Sequence, residues 1–338
     1  MSDHPATDPQ AAEPAAEAAE GPAAGPAADP HAALRAELAG LATEAVEADH
    51  EQLDLLDTGG LVAAMHACDR AAVAAVGAAA PRIVQAVDAI AERMRRGGRL
   101  VYAGAGTSGR MGVLDASECP PTFGVSPDLV VGLIAGGDTA IRTAVEGAED
   151  DQDAGAADVA ALGLGASDSL VGLSASGRTP YVLGALRTAA AAGALTVAVA
   201  CNTGSRIGAA AEIAIEADTG PELIAGSTRL KAGTAQKLVL NMLSTLTMVR
   251  LGKTYGNVMV DLQATNDKLM ARAERTVMRV TAVDAATASA ALRASGGSVK
   301  EAVYALLTGA PAARAHTALA EHDGHLRRAL AAAAEGRG

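Results

Sequence analysis

Strand, small-residue turn and helix start follow one another twice in this chain, and that repeat limits the folds open to it. Leu100–Ala103 is an apolar run of the kind that makes a buried strand. Gly104-Ala105-Gly106-Thr107-Ser108-Gly109 follows, then a helix-compatible segment from about Met111 to Ser117. The order recurs where Leu170-Val171-Gly172-Leu173 runs into Ser174-Ala175-Ser176-Gly177-Arg178-Thr179-Pro180, whose proline suits the first turn of a helix. Each junction has the makings of an anion site. The first amides of a helix are unpaired and the dipole favours negative charge there. Glycines let the backbone come close to a ligand, and hydroxyls add donors.

Around these turns strands and helices alternate. Leu129–Ala135 reads as a strand, with Gly136-Gly137 and a helix over Ala140–Glu149 after it; Leu195–Ala200 and Ile213–Ile215 read as further strands. The alternation predicts a doubly wound parallel α/β sheet covered on both faces. Residues 34–98 read as helices packing on that core, with Leu41, Val46, Leu53, Leu56, Leu61 and Met65 at helical spacing interrupted at Gly59-Gly60. A second run covers Arg70–Arg96 and stops at Gly97-Gly98. A long helix is expected over Lys231–Leu251, with Leu238, Met242, Leu246 and Val249 near one face. The expected division is a disordered acidic tail (1–33), N-terminal helices (34–98), an α/β domain (99–260) and a small helical subdomain (261–338). In the last, Asp284 and Ser298 read as N-caps and Gly296-Gly297 and Gly309 as stops.

Composition narrows the function. One Phe, four Tyr and no Trp leave no stacking platform for single-stranded nucleic acid, and a net charge of −12 is wrong for phosphate backbones. The first 33 residues hold six acids and no Lys or Arg. Cys68, Cys119 and Cys201 are far apart and form no CxxC pair, which fits reduced thiols and gives no zinc signal. No signal-peptide pattern and no apolar run of about 18 residues stands out. The expectation is a cytoplasmic protein with no membrane or nucleic-acid partner.

Gly104-x-Gly106-x-x-Gly109 after a strand also fits a dinucleotide fingerprint, with Asp138 placed to meet a ribose. A second hydroxyl-rich turn has no use in that reading. Two serine-rich turns at neighbouring strand ends suit a single phosphate on a small sugar. Ser108, Ser174, Ser176 and Thr179 are the expected phosphate ligands, with Thr107 in support; the bland alternative is that they only form turns. Arg178 and Lys231 add charge there or else cap helices, while Gln236 and Lys237 reach toward the sugar from the long helix. Glu118, just before Pro120-Pro121, reads as an acid at a helix C-terminus, or else as a solvated loop residue. Cys119 has no His partner nearby and reads as a bystander thiol. His316, His322 and His325 read as surface residues, so no metal and no cofactor are expected.

Four blocks carry a resemblance. They are Gly104–Gly124, Val145–Asp150, Ser174–Tyr181 and Ser227–Met242, the last reading Ser-Thr-Arg-Leu-Lys-Ala-Gly-Thr-Ala-Gln-Lys-Leu-Val-Leu-Asn-Met. Over roughly residues 41–335 the chain closely resembles the N-acetylmuramic acid 6-phosphate etherases of the sugar-isomerase-domain superfamily. The resemblance implies release of D-lactate from the amino-sugar phosphate, a homodimer, no metal, and a role in recovering cell-wall sugars. It also places the two catalytic carboxylates on Glu118 and Glu149; nothing else singles out Glu149, which sits in an acidic run. An aldose–ketose isomerase and a sugar-phosphate-gated regulator, like the related glucokinase regulatory protein, are the rival functions. The chain departs from the family at His66-Ala67-Cys68-Asp69, where Asn-x-Glu-Asp is usual, and at Glu47, where Asn is common; Thr43-Glu44 is kept.

Overall fold

Side chains alternate between two apolar layers along each central strand, and this fixes which helices cover which face. The computed structural model describes residue 29 and residues 31–48, 51–261 and 267–336. By contacts, residues 1–38 and 39–338 form two units. Most of the expected tail lies outside the described residues; the described part of the first unit enters helix α1 (Ala32–Ala39), with Arg35 paired to Asp29.

In the second unit α2 (Thr58–Ala78) and α3 (Ala80–Arg95) precede β1 (Leu100–Gly104), α4 (Gly106–Phe123) and β2 (Val130–Ile134). Then come α5 (Gly137–Arg142), α6 (Gln152–Leu162), β3 (Ser169–Leu173), α7 (Pro180–Ala191), β4 (Leu195–Ala200), α8 (Arg206–Ala210), β5 (Ile213–Glu216) and α9 (Lys231–Arg250). A short hairpin, β6 (Thr254–Tyr255) and β7 (Val258–Met259), leads to α10 (Asp267–Thr281), α11 (Ala285–Ala294), α12 (Val299–Thr308), α13 (Ala312–Glu321) and α14 (Leu326–Glu335).

Among the described residues β1–β5 form one parallel sheet in the order β2-β1-β3-β4-β5, with Leu100 in register with both Val130 and Ser169. Leu100, Tyr102, Val171, Leu173, Val197 and Val199 face a core shared with α2, α3, α4 and α9. Val101, Ala103, Leu170, Ala198 and Ala200 face a core built with α6, α7 and α8. A third apolar cluster, including Val260, Val277, Leu292, Val303 and Leu319, joins the hairpin and α10–α14. This is the doubly wound α/β architecture expected. Asp284, Ser298 and Gly309 cap helices as read.

Several local expectations are corrected. Among the described residues of 41–56 there is no α-helix; 3-10 turns stand at Ala42–Glu44 and Leu53–Leu55. Gly59-Gly60 do not interrupt a helix but open α2, because Asp57 caps it by accepting from the Gly60 N–H at 2.7 Å. The Arg70–Arg96 run breaks at Ala79, where Pro81 starts α3. The helix after β2 ends at Arg142 and not near Glu149. Pro120-Pro121 do not end α4, which continues to Phe123 and a left-handed Gly124. Past the prolines Phe123 packs in the core, so the helix is held by tertiary contacts that the local signal does not show. The β6–β7 hairpin turns at Gly256-Asn257, a local hairpin signal.

The face of α9 bearing Met242, Leu246 and Val249 is its exposed face; Ala235, Val239, Leu240, Leu243 and Met248 are among the buried residues. Among the described residues one helix, α2, is long and apolar enough to cross a membrane by length and composition. That corrects the expectation of no such run. Its alanines raise the average without large side chains, and Ala72 and Val76 pack in the core beside α9.

Candidate functional site

The chain leaves β1 toward β2 on one side and enters β3 on the other, so the crevice above the C-terminal ends of β1 and β3 is the switch point of the sheet. Ligands of open α/β sheets bind there. Both hydroxyl-rich turns open onto it. After β1 the chain makes only one non-helical residue, Ala105, before α4 begins, so Thr107, Ser108 and Gly109 form the first helical turn, which no side chain caps. The close fit needs glycine: a Cβ on Gly109 would stand 2.7 Å from the Gly104 carbonyl oxygen.

Ser108 is buried and donates to Gln236 Oε1 at 2.8 Å. Gln236 is itself 1% exposed, and its Nε2 has no hydrogen-bond partner. An unspent buried donor costs about 1–3 kcal/mol, so its persistence beside the turn marks a place where a ligand is expected. The second turn is a loop closed on Ser174. Its Oγ accepts from the Gly177 N–H at 3.0 Å, lies 2.7 Å from Thr179 Oγ1, and lies 3.3 Å from Ser176 Oγ. Gly177 has φ 75°, a left-handed turn that favours glycine. The Arg178 N–H reaches Ser176 Oγ at 3.4 Å. Thr179 precedes Pro180 without capping α7, so its hydroxyl stays with the serines.

Lys231 opens α9 and is buried; Glu222 caps that helix by accepting from the N–H groups of Lys231 and Ala232 at 2.8 and 2.9 Å. Thr107 lies against Gly233 on the same helix. Behind the second turn, Asn202 donates to the Ala175 carbonyl at 3.1 Å and to Thr43 Oγ1 at 3.0 Å, tying the 3-10 turn of Thr43-Glu44 to the loop. The sequence reading missed Glu222 and Asn202. A lone Glu or Asn in a loop has no periodicity or spacing to distinguish it.

The two carboxylates occupy different places. Glu149 sits exposed in a 3-10 turn (Ala148–Asp150) just before α6. The first turn of α6 crosses the first turn of α7 so closely that a Cβ on Gly155 would collide with the Tyr181 carbonyl. Glu149 is therefore on the crevice side of the sheet. Glu118 is exposed on α4, more than a turn from its end, and so outside the last turn where the dipole acts. It borders a cleft of about 210 Å³ between α4 and α9 with Leu114, Asp115, Lys237 and Asn241. Asp115 accepts from Tyr102 Oη at 2.8 Å and Ser244 Oγ at 3.1 Å. Burial pushes the Asp115 carboxyl up, opposed by those two hydroxyls and the Lys237 charge. Lys237 thus joins Glu118 and not the serine turns.

Burial, then the Asp115 charge, pushes the Cys119 thiol up to about 12, in keeping with a bystander. Cys68, one of the departures, is buried on α2, and burial raises its thiol too, opposed by the Lys231 charge. His316 Nδ1 lies 3.0 Å from Glu301 Oε1 on the rim of a cavity of about 1030 Å³, which is lined by the C-terminal helices and Lys253, Asp261 and Lys300. The sequence reading did not anticipate that cavity.

Residues 82–190 match the family model of the glucokinase regulatory protein N-terminal SIS domain. A phosphoheptose isomerase from Francisella tularensis superposes with a TM-score of 0.45 at 22% identity, over 56% of this chain and 96% of its own. The chain is 56% identical over 303 residues to an N-acetylmuramic acid 6-phosphate etherase of Streptomyces avermitilis, covering 90% of this chain and 97% of the relative. The Cronobacter sakazakii etherase is 54% identical over 293 residues, 87% of this chain and 99% of its own. At such identity over nearly the whole of each relative, this chain belongs to the N-acetylmuramic acid 6-phosphate etherase family.

Proposed function

We propose that this chain cleaves the D-lactyl ether of N-acetylmuramic acid 6-phosphate, giving N-acetylglucosamine 6-phosphate and D-lactate in cell-wall amino-sugar recycling. The observation that carries the reading is the pair of hydroxyl-rich turns at adjacent strand ends, with the Gln236 Nε2 donor unspent beside them. Ser108, Ser174, Ser176 and Thr179 hold the phosphate, with Thr107, Arg178 and Lys231 in support and Gln236 turned to the sugar. Once the ring opens, the aldehyde makes the C2 proton acidic. Glu149 takes that proton, the C3–O bond breaks, and Glu118 protonates the departing lactate oxygen. Water then adds to the C2=C3 double bond, returning a hydroxyl to C3. Acid–base groups placed in this way contribute about 10²–10⁴-fold each. The active form is a cytoplasmic homodimer that uses no cofactor and has neither nucleic-acid nor membrane partners.

The test is D-lactate release by the purified protein beside Glu118→Gln and Glu149→Gln, with solvent deuterium exchange at C2 measured in parallel. Glu118→Gln should lose lactate release by at least about 100-fold while keeping exchange; Glu149→Gln should lose both. Interconversion of sugar phosphates without lactate would point to an isomerase, and tight binding without turnover to a regulator.

A further inference from the structure

The cavity among the C-terminal helices holds more donors than the chain satisfies. The Lys300 side chain, at the start of α12, is 8% exposed, and its Nζ meets Asp261 Oδ2 at 2.6 Å. Lys253 Nζ reaches the same oxygen at 3.1 Å. Each ammonium carries three N–H donors, and the two share one carboxylate, so this part of the wall keeps an excess positive charge. Burial pushes the Lys300 ammonium down, with the Lys253 charge added, against the pull of Asp261. A buried charge is costly unless it is paired and hydrogen-bonded. The backbone beside it is unspent as well. Ser298 Oγ caps α12 by accepting from the Glu301 N–H at 3.3 Å. Among the described residues the N–H groups of Val299 and Lys300 have no acceptor, although both residues are buried on the cavity wall. The positive end of the α12 dipole lies at the same spot.

We propose that this cavity binds a small sugar phosphate at a site separate from the serine turns. Lys253, Lys300 and the first amides of α12 hold the phosphate. Glu274, Ser289 and Arg293, which also line the cavity, are groups that exchange hydrogen bonds with sugar hydroxyls. Arg293 and Glu274 offset one another in charge, and Glu301 is held by the exposed His316, so the excess at Lys253 and Lys300 stands. A space of about 1030 Å³ is far more than a bare ion fills and suits a small molecule. No lining residue is aromatic, so nothing there stacks a nucleobase, and a nucleotide fits less well than a sugar. None of Ser108, Ser174, Ser176 or Thr179 lines the cavity. Gly124, the C-cap of α4, does, so a ligand there touches the helix that carries Glu118. The inference is independent of the etherase reading.

Calorimetry and melting curves test this, with glucose 6-phosphate and inorganic phosphate as probes and Ser176→Asp as the background. That substitution repels phosphate from the serine turn, so binding which remains belongs elsewhere. In Ser176→Asp, glucose 6-phosphate should bind once per chain, at least about tenfold tighter than inorganic phosphate. At about 100 times its Kd it should raise the melting temperature by several degrees. Adding Lys300→Met should abolish the binding of both probes. Since Lys300→Met also takes a partner from Asp261, a second variant, Ala320→Trp, fills the cavity from its exposed rim and leaves both ammoniums in place. It should weaken glucose 6-phosphate at least about tenfold while the ligand-free melting temperature stays put. No binding in Ser176→Asp, or binding that survives Ala320→Trp and a folded Lys300→Met, would overturn the site. Equal affinity for the two probes would overturn the sugar and leave a bare anion. The etherase reading stands or falls separately, on lactate release by the wild type.

Discussion

The two edges of the five-stranded sheet are built on opposite plans. At the N-terminal edge Asp168 accepts from the Arg99 N–H at 2.8 Å, from Arg99 Nε and Nη2 at 3.1 and 3.0 Å, and from the Gly165 N–H at 2.9 Å. Arg99 spends its Nη2 further on the Leu162 carbonyl. The carboxylate of Asp168 is matched within the chain, and the ring ties the starts of β1 and β3 together, although the buried Ser169 hydroxyl beside it has no partner. At the C-terminal edge the hydroxyls of Ser174, Ser176 and Thr179 are clustered on one another, and Gln236 keeps a donor with no acceptor. One edge holds the sheet closed. The other keeps its hydroxyls clustered on one another with a buried amide donor unspent beside them.

Breaking the closed edge should have the largest effect on stability. Asp168→Ala leaves two backbone N–H groups and the Arg99 guanidinium without their acceptor, which should cost about 2–3 kcal/mol of folding free energy. The melting temperature should fall by several degrees while kcat is kept at temperatures where the variant is folded. A matching loss of kcat in fully folded protein would show that the two edges are not separable.

Acid should reproduce part of that loss. Burial pushes the Asp168 carboxyl up, but the Arg99 hydrogen bond, the backbone N–H groups and the Arg99 charge outweigh it and hold it below the ordinary carboxylate value. With the folded pKa below the unfolded one, the contribution is complete above the unfolded pKa and disappears as pH falls through the folded one. Denaturant midpoints should therefore drop below about pH 4, less steeply in Asp168→Ala than in the wild type.

The smallest effect on stability belongs to the open edge. Gln236→Leu removes the Ser108 acceptor but also removes the orphaned donor, so the two changes oppose and stability should stay within about 1 kcal/mol. Binding should suffer instead, with KM for the sugar phosphate raised roughly tenfold, the worth of about 1.4 kcal/mol. A large stability loss with unchanged KM would make Gln236 a core residue like any other.

Much of this was legible before any coordinates. Each turn stood out because strand, glycine, serine and helix start occur together in a fixed local order. The caps at Asp284 and Ser298 were equally local, since a cap is decided by residues three or four positions apart. The misses have a common cause. Pro120-Pro121 signal a stop on local grounds, yet Phe123 beyond them is buried against the sheet and carries the helix on. Glu222 reaches the start of α9 from nine and ten residues away, and Asn202 reaches Thr43 across 159. No pattern in the chain announces such pairs.

The sequence by itself determined the parallel sheet, the two turns at its strand ends and the blocks that identify the family. Apolar runs, glycines and capping residues act over a few positions and encode those directly. Only the tertiary structure decided that β1 and β3 are neighbours, that Gln236 is buried with a donor to spare, and that Glu118 stands a helix length from the serines it was read beside. Proximity along the chain placed Glu118 next to the phosphate turn. A helix rising about 1.5 Å per residue carries it about 15 Å away, toward the other edge of the sheet.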